Sequence, residues 1–222
     1  MTRAEVCARV EEVGIVPVVR SPSAALAARA VEAVLAGGIS IFEITMTVPG
    51  AVDLIRSLAD RFSGRAVVGA GTVLSAEQAR VCIDAGACFI VSPGTDPKTI
   101  EVAQALGVAI MPGALTPTEV IMAWKAGADM VKIFPCSALG GAKYLKALRG
   151  PLPDVKMLPT GGVSPATAHE YIAAGAAALG VGSELVDVAA LEAGEDDVIT
   201  RRAEELRRAV TEARDKLARP RS

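Results

Sequence analysis

The residue with the clearest chemical potential is Lys132, near the end of the apolar run from Asp129 to Phe134. Lysine is rarely buried without a reason, because an ammonium group is costly to remove from water. Burial favours the neutral amine, which can attack a ketone carbon and form a Schiff base. The alternative is a lysine whose stem is buried while its amine reaches solvent. Position alone leaves both interpretations open.

Glu43 is a carboxylate in the middle of the apolar run from Ile39 to Thr45. An unpaired buried charge would be costly, so this side chain needs a partner inside the protein. A carboxyl that faces Lys132 could move protons during carbonyl addition, loss of water and carbon-carbon cleavage. A structural ion pair is the alternative. Lys156 is a second candidate nucleophile, but it lies near the start of its run, where a stabilising role is expected.

Two glycine-bearing turns follow the last two apolar runs of the chain, at Thr160 to Gly162 and at Gly180 to Ser183. Backbone amides in such turns can bind a phosphate, although glycine also occurs there for tight geometry alone. The turns predict a phosphate site at Thr160, Gly161, Gly162, Gly182 and Ser183. Thr72, Pro93 and Gly94 follow earlier runs and could present a hydroxyl and amides to a carboxylate.

Short runs rich in Val, Ile and Met alternate with alanine-rich helical stretches, which is typical of parallel strands joined by helices. The eight predicted strands are 15–20, 39–45, 66–71, 88–92, 108–112, 129–134, 155–160 and 177–181. Helix starts are predicted where an N-cap residue precedes proline, at Ser21-Pro22, Asp96-Pro97, Thr116-Pro117 and Ser164-Pro165. Eight strands within 222 residues favour one closed (β/α)₈ barrel, a TIM barrel, which typically has about 250 residues. Active sites of such barrels lie at the carboxyl ends of the strands.

The C-terminal segment is strongly charged from Glu195 onward, yet it carries apolar residues at spacings of three and four. These residues are Ile199, Ala203, Leu206, Val210, Ala213 and Leu217. Their spacing predicts a helix with one narrow apolar seam, which either closes the barrel against the first helix or forms a subunit contact. We therefore expect a barrel over residues 1–190 and a helical extension of the same domain, or a subunit contact, over 191–222.

The composition argues against several other classes of protein. A net charge of −2 and 3% aromatic residues do not suit nucleic-acid binding. Apolar runs are shorter than the about 18 residues of a membrane span, and the first residues lack a secretory signal, so we expect a soluble, cytoplasmic protein. Four scattered cysteines and one histidine indicate neither a disulfide framework nor a zinc cluster. The sequence therefore predicts no metal and no cofactor.

The order and spacing of several motifs resemble the bacterial 2-keto-3-deoxy-6-phosphogluconate (KDPG) aldolases, a family that includes enzymes acting on 4-hydroxy-2-oxoglutarate. The resemblance covers roughly Gly14 to Val186. The motifs are Ile15 to Arg20, Phe42 to Thr45, Val68 to Thr72, Phe89 to Gly94, Met111 to Gly113, Val131 to Pro135 and Pro159 to Gly162. No single motif is decisive, and the resemblance depends on all of them together.

The resemblance implies a class I aldolase in which Lys132 forms the Schiff base and Glu43 is the general acid and base. It implies that Thr72 binds the pyruvyl carboxylate and that Gly161, Gly162 and Ser183 hold the phosphate. The implied substrate is a small 2-keto acid, phosphorylated in the case of KDPG, and the implied assembly is a homotrimer.

The sequence departs from the family at one position of the carboxylate site. Some members carry arginine beside the substrate carboxylate where this chain has Thr47. Arg20, at the end of the first predicted strand, is the nearest cationic replacement. If Arg20 binds the phosphate instead, the carboxylate depends on hydroxyls and amides.

Two other functions stay open at this point. Another phosphate-binding barrel enzyme, such as an epimerase or a synthase, would share the glycine turns without needing Lys132. A non-catalytic phosphosugar-binding barrel would bind the ligand without turnover.

Overall fold

The computed structural model describes residues 1–218, and the last four residues of the predicted extension, 219–222, lie outside the described residues. The strands are β1 Ile15–Val19, β2 Ile41–Thr45, β3 Val67–Gly71, β4 Phe89–Val91, β5 Ala109–Met111, β6 Gly113–Ala114, β7 Val131–Ile133, β8 Met157–Pro159 and β9 Leu179–Val181. The helices are α1 Arg3–Val13, α2 Ala24–Ala36, α3 Ala51–Arg61, α4 Ala76–Asp84, α5 Pro97–Ala105, α6 Pro117–Lys125, α7 Ala142–Arg149, α8 Ala168–Ala173, α9 Val188–Ala193 and α10 Asp196–Ala218, and Cys136–Leu139 forms a 3₁₀ turn.

The strands are parallel and form two sheets, one in the order β5-β4-β3-β2-β1-β9 and one in the order β6-β7-β8. The α/β class and the strand positions predicted from sequence are confirmed. The fifth predicted strand corresponds to β5, and β6, which the sequence did not predict, follows directly after Pro112. Pro112 has no amide to donate, but its carbonyl accepts a hydrogen bond of 2.9 Å from the Lys132 amide. On the far side, Thr160 and Gly180 form an isolated parallel bridge.

The apolar strand residues divide into two clusters because successive side chains point to opposite faces. On β2, Phe42 and Ile44 pack with the helices in the larger cluster. Ile41 belongs to a smaller cluster built almost entirely from strand residues and from Val6 and Val10 of α1. Burial on both faces explains why the strands have no polar alternation. It also places Glu43, two residues after Ile41, on the same face as the smaller cluster.

Two of the four predicted helix starts are confirmed. Asp96 caps α5, and Thr116 caps α6 in a capping box with Glu119. The predictions at Ser21 and Ser164 are wrong. Ser23 caps α2, which begins only at Ala24, and α8 begins after Thr167. The prolines at these two sites lie in the preceding turns, where a fixed φ is also favourable.

The charged C-terminal segment forms α10, as predicted from its apolar seam. Ile199, Ala203 and Leu206 are fully buried, while Leu217 at the end of the seam is 56% exposed. The helix packs mainly against α2 and α8. Arg214 also donates hydrogen bonds to the carbonyls of Glu11 and Glu12 at the end of α1. Within residues 1–218, the seam is therefore covered by the chain's own helices over most of its length. No helix in this range is long and apolar enough to cross a membrane.

Candidate active site

Lys132 and Glu43, each the middle residue of its strand, have side chains that lie close together. Lys132 is on β7 and Glu43 on β2, and their side chains are 7% and 1% exposed. The distance between Lys132 Nζ and Glu43 Oε1 is 3.9 Å. This is longer than a direct hydrogen bond, so the two groups are close without the carboxyl holding the amine. The amine also lies 5.3 Å from the centre of the Phe134 ring.

The Glu43 carboxyl is almost completely shielded from solvent. Burial raises its pKa above the ordinary value, although the positive charges of Lys132 and Arg20 oppose that effect. Among the described residues, Glu43 Oε1 has no hydrogen-bond partner. A buried polar atom without a partner is costly, and such atoms are common where a ligand is to be bound. This carboxyl can therefore hold a proton and pass it to a group that enters beside Lys132.

A cavity of about 360 Å³ opens above Lys132. Most residues that the sequence proposed for the site line this cavity. They are Arg20, Thr72, Pro93, Lys132, Thr160, Gly161, Gly162, Gly182 and Ser183. They come from the ends of six strands, β1, β3, β4, β7, β8 and β9, and the fold thus brings together positions far apart in the chain.

Three proposed residues do not line the cavity. Glu43 lies beside Lys132 without forming part of the cavity wall. Thr47 is exposed, and its hydroxyl is 2.8 Å from that of Thr45, which donates to the carbonyl of Val19. Gly94 is exposed as well, and its carbonyl accepts a hydrogen bond from Ser92. The structure therefore directs the Thr47 hydroxyl to Thr45, outside the cavity.

Thr72 has a left-handed backbone conformation, which residues other than glycine rarely adopt. Its φ is 57°, and within residues 1–218 every other residue with a positive φ is a glycine. Left-handed backbone costs a β-branched residue about 1–2 kcal/mol. Strain of this kind persists where the surrounding structure holds it, commonly in a binding site. The conformation places Thr72 in the cavity wall directly after β3.

This strain predicts the effect of two substitutions. We expect Thr72→Gly to be more stable to unfolding than Thr72→Ala by about 1 kcal/mol, because alanine keeps the left-handed strain that glycine relieves. Urea denaturation of both variants measures the difference. If Thr72→Ala proved the more stable variant, the left-handed conformation would not be costly at this position.

The two predicted glycine turns lie next to each other at the cavity. Gly161 and Gly162 have φ values of 94° and 72°, and they follow β8 directly. The carbonyl of Gly182, after β9, accepts hydrogen bonds from the amides of Leu185 and Val186. The turns follow two strands that neighbour each other at the bridge between Thr160 and Gly180, so they can approach one ligand group from two sides.

The cavity also contains residues that the sequence did not suggest. Phe134 and Glu184 line it, together with Val18, Val163, Val186 and Val188. Phe134 lies two residues after Lys132 and so on the same face of the chain, a periodicity that could have identified it. Glu184 adds a carboxylate next to Ser183, and nothing in the sequence around it indicated that it lines the cavity.

Lys156 lies where the sequence placed it, at the start of its strand. It precedes β8 and forms an ion pair of 2.5 Å with Glu11 of α1. This contact is at the opposite end of the strands from Lys132. Residues 1–218 contain no cluster of three or more metal-ligating acidic, histidine or cysteine side chains.

Comparison with known proteins identifies the family. A cavity above a buried lysine and carboxyl at the ends of parallel strands has the features of an enzyme active site. The family model described as KDPG and KHG aldolase matches residues 6–202. The chain is 38% identical over 191 residues to the KHG/KDPG aldolase of Escherichia coli (strain K12), covering 86% of this chain and 89% of that protein. The chain therefore belongs to the KDPG and KHG aldolase family.

Two further relatives extend the comparison. A 2-dehydro-3-deoxy-6-phosphogalactonate aldolase of the same strain is 38% identical over 156 residues, which cover 70% of this chain and 76% of that protein. A crystal structure of the KDPG aldolase from Legionella pneumophila, with pyruvate captured as a covalent carbinolamine intermediate, superposes with a TM-score of 0.83. It is 30% identical, and the match covers 90% of this chain and 97% of that chain.

Proposed function

We propose that this chain is a class I aldolase that cleaves KDPG to pyruvate and glyceraldehyde 3-phosphate through a Schiff base on Lys132. The observation that carries the proposal is the pair of Lys132 Nζ and Glu43 Oε1, 3.9 Å apart and buried beneath the cavity. A buried amine supplies the nucleophile, and a buried carboxyl supplies the acid and base. The covalent carbinolamine of pyruvate in the related Legionella pneumophila enzyme supports the same chemistry here.

The first half of the reaction forms the covalent intermediate. Lys132 Nζ adds to the C2 ketone of the substrate and gives a carbinolamine. The Glu43 carboxyl donates its proton to the C2 hydroxyl, which leaves as water, and an iminium remains. Burial raises the pKa of Glu43, which favours the protonated carboxyl that this step uses as the acid.

The second half breaks the carbon-carbon bond. The Glu43 carboxylate accepts the proton of the C4 hydroxyl through a bridging water while the bond between C3 and C4 breaks. The bonding electrons pass to the iminium and form an enamine, and glyceraldehyde 3-phosphate leaves. Glu43 then returns its proton to C3. Water hydrolyses the iminium to release pyruvate and the free Lys132 amine, and the proton set free in this hydrolysis returns to the Glu43 carboxylate. One carboxyl thus carries each proton in turn.

The cavity wall offers groups for both ends of the substrate. Thr72 and Pro93 in the cavity wall, with Gly94 directly after Pro93 and outside the wall, are proposed to bind the carboxylate. The glycine turns at Thr160 to Gly162 and at Gly182 and Ser183 are proposed to bind the phosphate. Arg20 lines the cavity together with Lys132, and its guanidinium can bind either the carboxylate or the phosphate of the substrate. Thr47 bonds to Thr45, so we do not propose it as a direct carboxylate ligand.

Turnover of three substrates tests this function. We expect release of pyruvate from KDPG, from its galactonate epimer, or from both, with kcat/KM at least about tenfold above that for 4-hydroxy-2-oxoglutarate. The variant Gly162→Ala should raise KM more for the phosphorylated substrates, since the added Cβ would lie 2.5 Å from Ser137 Cβ and distort the turn. Equal kcat/KM values with and without phosphate would show that the turns do not bind it. Absence of pyruvate from all three would contradict the aldolase function.

We infer that the strands close into one (β/α)₈ barrel over residues 1–190, since backbone hydrogen bonds connect the two sheets at Pro112 and at Thr160. The segment 191–222 is then an extension of the same domain, supported by the burial of α10 against α2 and α8. The homotrimer and the cytoplasmic location expected from the sequence stay predictions.

A further inference from the structure

We propose that Gly71 is a positioning residue, whose lack of a side chain provides the space that holds the Glu43 carboxyl beside Lys132. The inference rests on the proposed function for its catalytic consequence. It concerns a residue that is not among those lining the cavity.

The space at Gly71 is filled by Glu43. A Cβ on Gly71 would lie 2.6 Å from Glu43 Cδ and 3.0 Å from its Cγ, and closest of all to Oε1. Real Cβ atoms do not approach other atoms this closely. A side chain at position 71 would therefore force the Glu43 carboxyl to leave its present position.

Strand register explains the contact. Glu43 pairs with Gly69, and Thr45 with Gly71, in the parallel ladder of β2 and β3. Residues two apart on a strand share a face, so the Glu43 side chain can extend over Gly71 toward the carboxyl ends of the strands. Gly69 has a different neighbour, because a Cβ there would meet the Phe89 ring. Gly69 therefore leaves space for the Phe89 ring in the core, and Gly71 leaves space for the Glu43 carboxyl in the site.

Backbone conformation does not require a glycine at position 71. Gly71 is not among the residues with positive φ, unlike Thr72 directly after it. Glycine weakens a strand interior, so its presence there calls for a reason such as the close approach of another group. The contact with the Glu43 carboxyl supplies that reason.

The consequence of adding a side chain depends on which group must move. At Gly113 a Cβ would collide with the backbone of Pro93 and lie 2.7 Å from the amide nitrogen of Gly94, and backbone cannot yield cheaply. At Gly71 the obstructing atoms are the end of a side chain. We therefore expect Gly71→Ala to fold, with the Glu43 carboxyl displaced from Lys132.

The test compares Gly71→Ala, Glu43→Asp and the double variant, with Gly150→Ala as the matched control. A Cβ at Gly150 has its nearest neighbour at 3.5 Å, so activity should be unchanged. Gly71→Ala should lose about 10²-fold in kcat while pyruvate and borohydride still label Lys132. The shorter aspartate leaves room for the new Cβ, so the double variant should be more active than the product of the two single losses predicts. Near wild-type kcat in Gly71→Ala, or losses that multiply in the double variant, would overturn the proposal.

A second measurement separates this inference from the proposed function. Displacement toward the cavity should hydrate the carboxyl, so Gly71→Ala should reduce the pH dependence of the unfolding free energy that is due to Glu43. This readout needs no activity and therefore tests the contact even if the wild-type chain releases no pyruvate. An unchanged pH dependence would overturn the role of Gly71, whereas an inactive wild-type chain would contradict only the aldolase function.

Discussion

Lys132→Met should abolish aldol cleavage while the fold is retained. Methionine fills a similar apolar volume but has no nucleophile, so kcat should fall by at least about 10⁴-fold. Removing the amine also removes a buried polar group, and we expect the thermal transition to be preserved. Steady-state pyruvate release, together with circular dichroism, measures both effects.

The matched control for this substitution is Lys156→Met. Lys156 lies at the opposite end of the strands and pairs with Glu11 near the surface, so its loss should leave kcat unchanged. Substantial pyruvate release by Lys132→Met would contradict the role of this lysine as the nucleophile. The alternative considered from the sequence, a phosphate-binding barrel enzyme such as an epimerase or a synthase, would release no pyruvate even in the wild-type chain. Such an enzyme does not need this lysine.

Glu43→Gln should lower activity and raise stability at neutral pH. Glutamine keeps the shape of the side chain but can neither accept nor return a proton, so kcat should fall by about 10²–10⁴-fold. Formation of the adduct between pyruvate and Lys132 should be slowed, because loss of water from the carbinolamine also uses the carboxyl.

The effect on stability follows from the direction of the pKa shift. Burial raises the pKa of Glu43 above its ordinary value of 4.5. Below that value the group is protonated in the folded and the unfolded chain, and it has no pH-dependent effect. Above it the unfolded chain loses the proton first, so the free energy of unfolding falls until the pH passes the raised pKa.

Glutamine does not titrate, so Glu43→Gln removes the fall in the free energy of unfolding that Glu43 causes at rising pH. The advantage of the variant over the wild-type chain should therefore grow as the pH rises above 4.5 and level off once the pH passes the raised pKa. Urea denaturation over this range measures it. A constant difference between the two proteins would mean that the carboxyl titrates normally in the folded chain.

The sequence predicted the strands well because their physical signal is local. Runs buried on both faces lose polar alternation, and the segment from Ile41 to Thr45 has Glu43 as its one ionisable residue. Lys132 was identified for the same reason. Their separation of 3.9 Å depends on how β2 and β7 are placed, and no local pattern contains that information.

Other parts of the site depend on contacts and backbone conformations that the sequence does not reveal. Thr47 was expected near the substrate carboxylate, but its hydroxyl is directed to Thr45. The left-handed conformation of Thr72 could not be predicted, because threonine disfavours it. The space at Gly71 has meaning only once the Glu43 side chain is placed. The Thr47 contact is local, but residue type does not show which partner a hydroxyl takes. The other two features arise from a backbone conformation that the residue type opposes and from a neighbour distant in the chain.

Borohydride reduction in the presence of pyruvate tests the central claim most directly. The iminium on the nucleophilic lysine should be reduced to a stable secondary amine, and peptide mass spectrometry should locate it on Lys132 in the wild-type chain and nowhere in Lys132→Met. An adduct on another lysine, or no adduct, would contradict the assignment of Lys132 as the Schiff-base residue.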